Sequence, residues 1–154
     1  MLVLEAIGFE PLPAQTLKSN AIPPPVRRVP GPATLSLDEG LSVVAAARHL
    51  TSLPRPEGDC SHLVHMAYDR AGFPYRYASS FELYGGIESF KRVSRPQPGD
   101  LIVWQGHAGI VISPGRRLFF SALSHGPGTN RYDAGYWKRR GPPHFFRYIK
   151  RTDL

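Results

Sequence analysis

Asp59-Cys60-Ser61-His62-Leu63-Val64-His65-Met66-Ala67-Tyr68 is the stretch on which the reading of this chain turns. Asp59 is suited to cap a helix, and Leu63, Met66, Ala67 and Ala71 recur at helical spacing. Gly72 and Pro74 stop that helix near Arg70. Cys60, the only cysteine of the chain, therefore falls in the first turn. There it faces unpaired backbone N–H groups and the positive end of the helix dipole. Both stabilise negative charge on sulfur, the property a nucleophile needs. The alternative is an inert cysteine buried in the core.

Downstream the period changes from helical to alternating. Pro98-Gly99-Asp100 forms a turn into a strand over 101–104, Leu-Ile-Val-Trp. Gln105-Gly106 reverses the chain into a β-branched strand over 107–112, and His107 stands at its mouth. Ser113-Pro114-Gly115 turns again into a strand over 118–123. Gly126, Pro127 and Gly128 are read as a break in the chain, and a last strand covers 144–149. Before the cysteine helix, Ser36-Leu37-Asp38-Glu39 is a capping box, and Leu41, Val44, Ala45 and Leu50 continue at helical spacing. Pro54 and Pro56 end that first helix, and a short helix is predicted over 79–83. Helices first and an antiparallel meander afterwards predict an α+β domain with helices packed on one side of a sheet.

At 154 residues the chain has the size of one domain. Seven prolines within 11–34 mark residues 1–34 as a proline-rich extension or strap, leaving 35–154 as the domain proper. No apolar run reaches the length of a membrane span. The start, Met1-Leu2-Val3-Leu4-Glu5-Ala6-Ile7, is too short and too acidic for a secretory signal, so a cytosolic location and a removed leader both stay open. The formal charge is +7, and the stretch from Arg116 onward carries all of that excess. A basic end fits nucleic acid, an anionic membrane surface or an anionic polymer such as bacterial cell wall. No zinc-finger, helix-turn-helix or aromatic-basic RNA motif supports nucleic acid. Cys60, His62 and His65 do not match a zinc-ligand spacing, and neither metal nor cofactor is expected.

A helix-start cysteine with a histidine on a later strand is the sequence outline of a thiol hydrolase. Three ordered blocks sharpen it: Asp59-Cys60-Ser61-x-Leu63-Val64, Gln97-Pro98-Gly99-Asp100-Leu101-Ile102 and Gly106-His107-Ala108-Gly109-Ile110-Val111-Ile112. Together they resemble the NlpC-type cysteine peptidases, papain-like bacterial enzymes that cut stem peptides of peptidoglycan. The resemblance implies a papain-like fold, with Cys60 as nucleophile, His107 as base and Ser121 aligned with the third catalytic position. His125 lies four residues on and shares a face with Ser121 if the strand continues, so it is the second candidate for that role. Many members carry a Tyr-x-Trp-Gly-Gly block before the cysteine, whose tyrosine helps stabilise the oxyanion; this chain has Leu53-Pro54-Arg55-Pro56-Glu57-Gly58 there. The resemblance further implies a peptidoglycan peptide as substrate and a secreted, periplasmic or cell-wall location. Two other readings accompany it: a non-catalytic wall- or peptide-binding module on the same fold, and an acyltransferase or deamidase using the same dyad.

Overall fold

The structure is a computed structural model that describes residues 8, 11–14, 22–27, 30–52 and 59–151. The first helix, α1, spans Leu37–His49, and its capping box forms as its sequence requires. The Ser36 amide donates to Glu39 Oε2 at 2.7 Å and the Glu39 amide to Ser36 Oγ at 3.2 Å. Its inward face is Gly40, Val43, Val44 and Ala47, followed by Leu50 in a 3-10 turn. Leu41 and Ala45, apolar at helical spacing, are exposed. The reason is at Gly40, where a Cβ would collide with the Pro98 carbonyl. The helix docks through its glycine, which rotates Leu41 outward.

Helix α2 spans Cys60–Arg70. The Asp59 carboxylate accepts from the amides of Ser61 at 3.0 Å and His62 at 3.2 Å, two of the donors a helix start leaves unpaired. Gly72, at φ +90°, takes the chain out of the helix. Helix α3, Ser80–Gly85, is capped by Ser79 and Glu82. The expected stops at Pro54 and Pro56 lie outside the described residues, as do residues 1–7. The described parts of the proline-rich stretch, 11–14, 22–27 and 30–33, are exposed and without regular structure.

Six strands follow: β1 Phe90–Val93, β2 Leu101–Trp104, β3 His107–Ser113, β4 Leu118–Leu123, β5 Gly126–Arg131 and β6 His144–Tyr148. They form one antiparallel sheet in the order β1-β6-β2-β3-β4-β5. The domain is therefore α+β. Two strands depart from the sequence reading. Phe90-Lys91-Arg92-Val93 is a short edge strand with no strong alternation. Gly126-Pro127-Gly128 does not break the chain: it begins β5, with Pro127 opposite Ala122. β5 is the other edge of the sheet, where a missing N–H can be tolerated.

The faces of the sheet build two cores. On one, Val43, Ala47, Leu63, Val64 and Leu83 of the three longer helices pack on Leu101, Val103, Ala108, Ile110 and Phe120. On the other, Trp137 of a short helix α4, Gly135–Arg139, packs on Ile102, Trp104, Val111 and Phe119. The Gln97-Pro98-Gly99-Asp100 turn ties the layers together. Gln97 Nε2 donates to the Leu35 carbonyl at 3.0 Å, and the Tyr68 hydroxyl donates to the Gly99 carbonyl at 2.6 Å. Asp100, 1% exposed, accepts from Arg147 Nε at 2.9 Å and Nη2 at 2.8 Å. Burial pushes its carboxyl up more strongly than Arg147 and the Gln97 amide draw it down.

Candidate active site

Cys60 opens α2 with only 9% of its surface exposed. The cap beside it is anchored twice: Asp59 Oδ1 also meets His62 Nδ1 at 3.0 Å. Burial pushes the Asp59 carboxyl up, but His62 and the two capping amides pull it further down, so it is ionised at neutral pH. Tyr77, from the segment between α2 and α3, lies over this corner. Its ring stacks on His62 with centroids 4.4 Å apart, and its hydroxyl reaches His62 Nδ1 at 3.4 Å. Partial burial and then the Asp59 charge push the Tyr77 phenol up, while the Ser61 hydroxyl draws it down and Cys60 adds to the rise. A protonated phenol therefore stands among Asp59, Cys60 and Ser61. His65 meets the edge of Tyr77 with centroids 5.7 Å apart and sets its Nε2 on the Tyr75 carbonyl at 2.8 Å. His62 and His65 are thus both engaged in packing and hydrogen bonds around the helix.

His107 opens β3, and its ring lies among Trp137, Trp104 and Phe119 at 4.6, 6.2 and 6.4 Å between centroids. Its Nε2 is 2.7 Å from Ser121 Oγ, and Ser121 Oγ is also 2.7 Å from the Ala108 carbonyl oxygen. A hydroxyl has one hydrogen, and a carbonyl can only accept. Ser121 must therefore donate to Ala108 and accept from His107 Nε2–H. That fixes the imidazole in the Nε2–H tautomer and leaves the lone pair on Nδ1 free to take a proton. Burial, and secondly the Arg140 charge, lower the His107 pKa to about 4, so the ring is neutral at physiological pH. Gly109 permits this geometry. A Cβ there would stand 2.6 Å from the Phe120 carbonyl oxygen and 2.7 Å from the Phe119 ring.

His125 lies in the reversal between β4 and β5, exposed, with Nδ1 3.3 Å from Ser124 Oγ. β4 stops at Leu123, so the shared face expected of Ser121 and His125 ends two residues too early. Among the described residues His125 has no hydrogen bond to His107. It lies instead on the rim of a cleft of about 500 Å³ that His107, Leu123, Ala134, Tyr136 and Trp137 also line. Trp137 is thus both core and cleft wall, whereas Trp104 is core alone.

Helix α2, which carries Cys60, packs against β3 and β4, which carry His107 and Ser121. Cys60 Sγ makes no hydrogen bond to His107 in the described structure; such contacts commonly tighten only when substrate binds. Tyr77 and Arg140 were not singled out in the sequence. Tyr77 follows the helix stop with no spacing that points to Cys60, and Arg140 reads as one more charge in a basic run. Among the described residues no helix is long and apolar enough to cross a membrane.

Comparison with known proteins bears on the fold and the family. A structure of a Staphylococcus aureus protein described as similar to lipoprotein, NLP/P60 family, superposes with a TM-score of 0.58 at 19% identity. The match covers 79% of this chain and 45% of that one, so this chain spans less than half of its length. Among curated proteins none matches. The model of the NlpC/P60 family matches residues 49–142, from the end of α1 through α4 and including both Cys60 and His107. With more than half of its length matched, the chain belongs to the NlpC/P60 family.

Proposed function

We propose that this protein is a cysteine hydrolase that cleaves an amide bond in peptidoglycan stem peptides, with Cys60 as nucleophile, His107 as base and Ser121 as the group that orients His107. The observation that carries the proposal is the Ser121–His107–Ala108 arrangement. It presents Nδ1, not Nε2, as the basic nitrogen of a neutral imidazole. In the proposed reaction Nδ1 takes the thiol proton as sulfur attacks the carbonyl carbon. The tetrahedral oxyanion is met by the Cys60 backbone amide, since Asp59 holds the amides of Ser61 and His62, with the Tyr77 phenol nearby. His107 then gives its proton to the leaving amine, the C–N bond breaks and a Cys60 thioester forms. Water, deprotonated by the same nitrogen, hydrolyses the thioester and restores the thiol. The reading places His125 on the cleft rim, outside the proton relay. It also places the protein where cell wall is its substrate, which suits the basic C-terminal part.

The test is digestion of purified muropeptides followed by mass spectrometry. Cys60→Ala and Cys60→Ser should each abolish cleavage with the circular dichroism spectrum unchanged, because they delete the covalent step while altering little packing. Full turnover by the alanine variant refutes the reading. A fast-binding but non-cleaving wild type supports the binding-module alternative.

A further inference from the structure

Among the described residues Arg140 is the charge set against the base. Its Nη2 donates to the Gln105 carbonyl at 2.8 Å and its Nη1 to the Tyr136 hydroxyl at 3.3 Å. The guanidinium stands 5.8 Å from the Trp137 ring centroid and 6.0 Å from that of Tyr136. It thereby flanks the Gln105-Gly106 reversal that launches His107. A Cβ on Gly106 would meet Arg140 Nη2 at 3.5 Å and the ring of Phe81 at 3.4 Å. Phe81 is 68% exposed, so an open aromatic edge and a fixed guanidinium stand together over a turn with no side chain.

Among the described residues no carboxylate answers this charge. Between Arg116 and Arg151 the only acid is Asp133, and it is held by Arg131 at 2.8 Å and Arg117 at 3.8 Å. Among the described residues Arg140 has no acidic partner, and none of the residues lining the adjoining cleft is acidic. On the same wall Trp137 is 5% exposed and its indole Nε1 has no hydrogen-bond partner among the described residues. The wall thus offers donors in excess of acceptors.

We infer that Arg140 is a specificity-determining residue that binds a carboxylate of the substrate on the leaving-amine side of the cleaved bond. The inference rests on the hydrolase reading above and names the substrate class for that site. The side follows from the chemistry. His107 hands its proton to the departing amine, so the substrate group beside His107 and its turn belongs to the amine half. A bare cation there opposes the imidazolium that His107 must become, which is the second cause of its lowered pKa. A carboxylate seated on Arg140 offsets that opposition when substrate is bound. The planar guanidinium, pre-oriented by Gln105 and Tyr136, keeps N–H groups for paired bonds to a carboxylate.

The experiment compares wild type, Arg140→Gln and Arg140→Lys on muropeptides with free carboxyl groups and on the same preparation with those groups converted to carboxamides. Wild type should favour the free acids by about ten- to a hundredfold in kcat/KM, the range for a hydrogen bond to a charged group. Arg140→Gln should lose that preference, mainly through KM on the acid substrate, and Arg140→Lys should keep part of it. Equal cutting of acid and amide by wild type, or an equal loss on both by Arg140→Gln, overturns the inference and leaves Arg140 as a brace for the turn. Absence of any Cys60-dependent cleavage would instead count against the hydrolase reading. A binding measurement then decides Arg140 on its own: the His107 imidazole resonances of Cys60→Ala protein are followed by NMR on addition of the acid and the amide muropeptides. A shift with the acid alone that vanishes in Cys60→Ala/Arg140→Gln supports the inference, and identical responses to acid and amide refute it.

Discussion

Ser121→Ala isolates the tautomer argument. The wild-type hydroxyl makes two 2.7 Å contacts at a site with no solvent exposure. Alanine removes one oxygen and leaves His107 Nε2–H without its acceptor and the Ala108 carbonyl without that donor. A neutral hydrogen bond contributes about 1 kcal/mol net, and a buried donor left unpaired costs about 1–3 kcal/mol. If that cost is expressed as loss of the productive imidazole orientation, kcat falls roughly 5- to 150-fold, since about 1.4 kcal/mol is tenfold. KM should hardly move, because a fully buried Ser121 cannot touch substrate. Folding stability should fall by a similar ~1–3 kcal/mol, or a few degrees of Tm per kcal/mol. The assay is initial-rate muropeptide digestion, with nitrogen NMR of His107 reporting its tautomer. Wild type should show Nε2–H, the variant a mixture. His125→Ala should keep wild-type kcat, because His125 lies in the turn away from His107. Wild-type kcat in Ser121→Ala, or an Nδ1–H imidazole in the native protein, would refute the reasoning.

The pH dependence carries its own sign. The His107 pKa in the folded protein is about 4 against 6.5 in the unfolded chain, so the base stays unprotonated well into acid. The acid limb of kcat/KM should have its midpoint near pH 4; a midpoint near 6.5 would show that burial and Arg140 do not act as described. By linkage the same group adds full stability above about pH 6.5 and loses it as pH falls toward 4, where only the unfolded chain takes up the proton. Arg147→Ala leaves the buried Asp100 carboxylate without its partner and should cost roughly 3–5 kcal/mol, measured by urea unfolding; a loss below 1 kcal/mol would mean that water reaches Asp100. Gly109→Ala must push β4 away from β3, given the 2.6 Å approach of a Cβ to the Phe120 carbonyl. It should lower both Tm and kcat, and a stable, fully active variant would contradict the close approach that sets Ser121 on His107.

Local signals along the chain determined the helix caps and the two central strands of this structure. The two capping boxes, the Asp59 cap and the glycine after α2 are contacts within a few residues, so sequence order alone places them. The same holds for β2 and β3, where β-branched and aromatic runs sit between tight turns. Cys60 and His107 stand out in the sequence because each opens one of these elements. What tertiary packing decided lies in the long-range approaches. Leu41 turned outward because Gly40 meets a carbonyl 58 positions away in the chain, at Pro98. β5 exists because β4 offers it a ladder, although Gly-Pro-Gly has poor strand propensity. Ser121 rather than His125 reached His107 because β4 ends at Leu123, a boundary that side-chain chemistry does not announce. Tyr77 and Arg140 came to the site from segments whose spacing to Cys60 and His107 carries no periodic signal. Local propensity acts over a turn or two, whereas an active site is assembled by chain closure across dozens of residues, and only the packed core fixes which side chains that closure brings together.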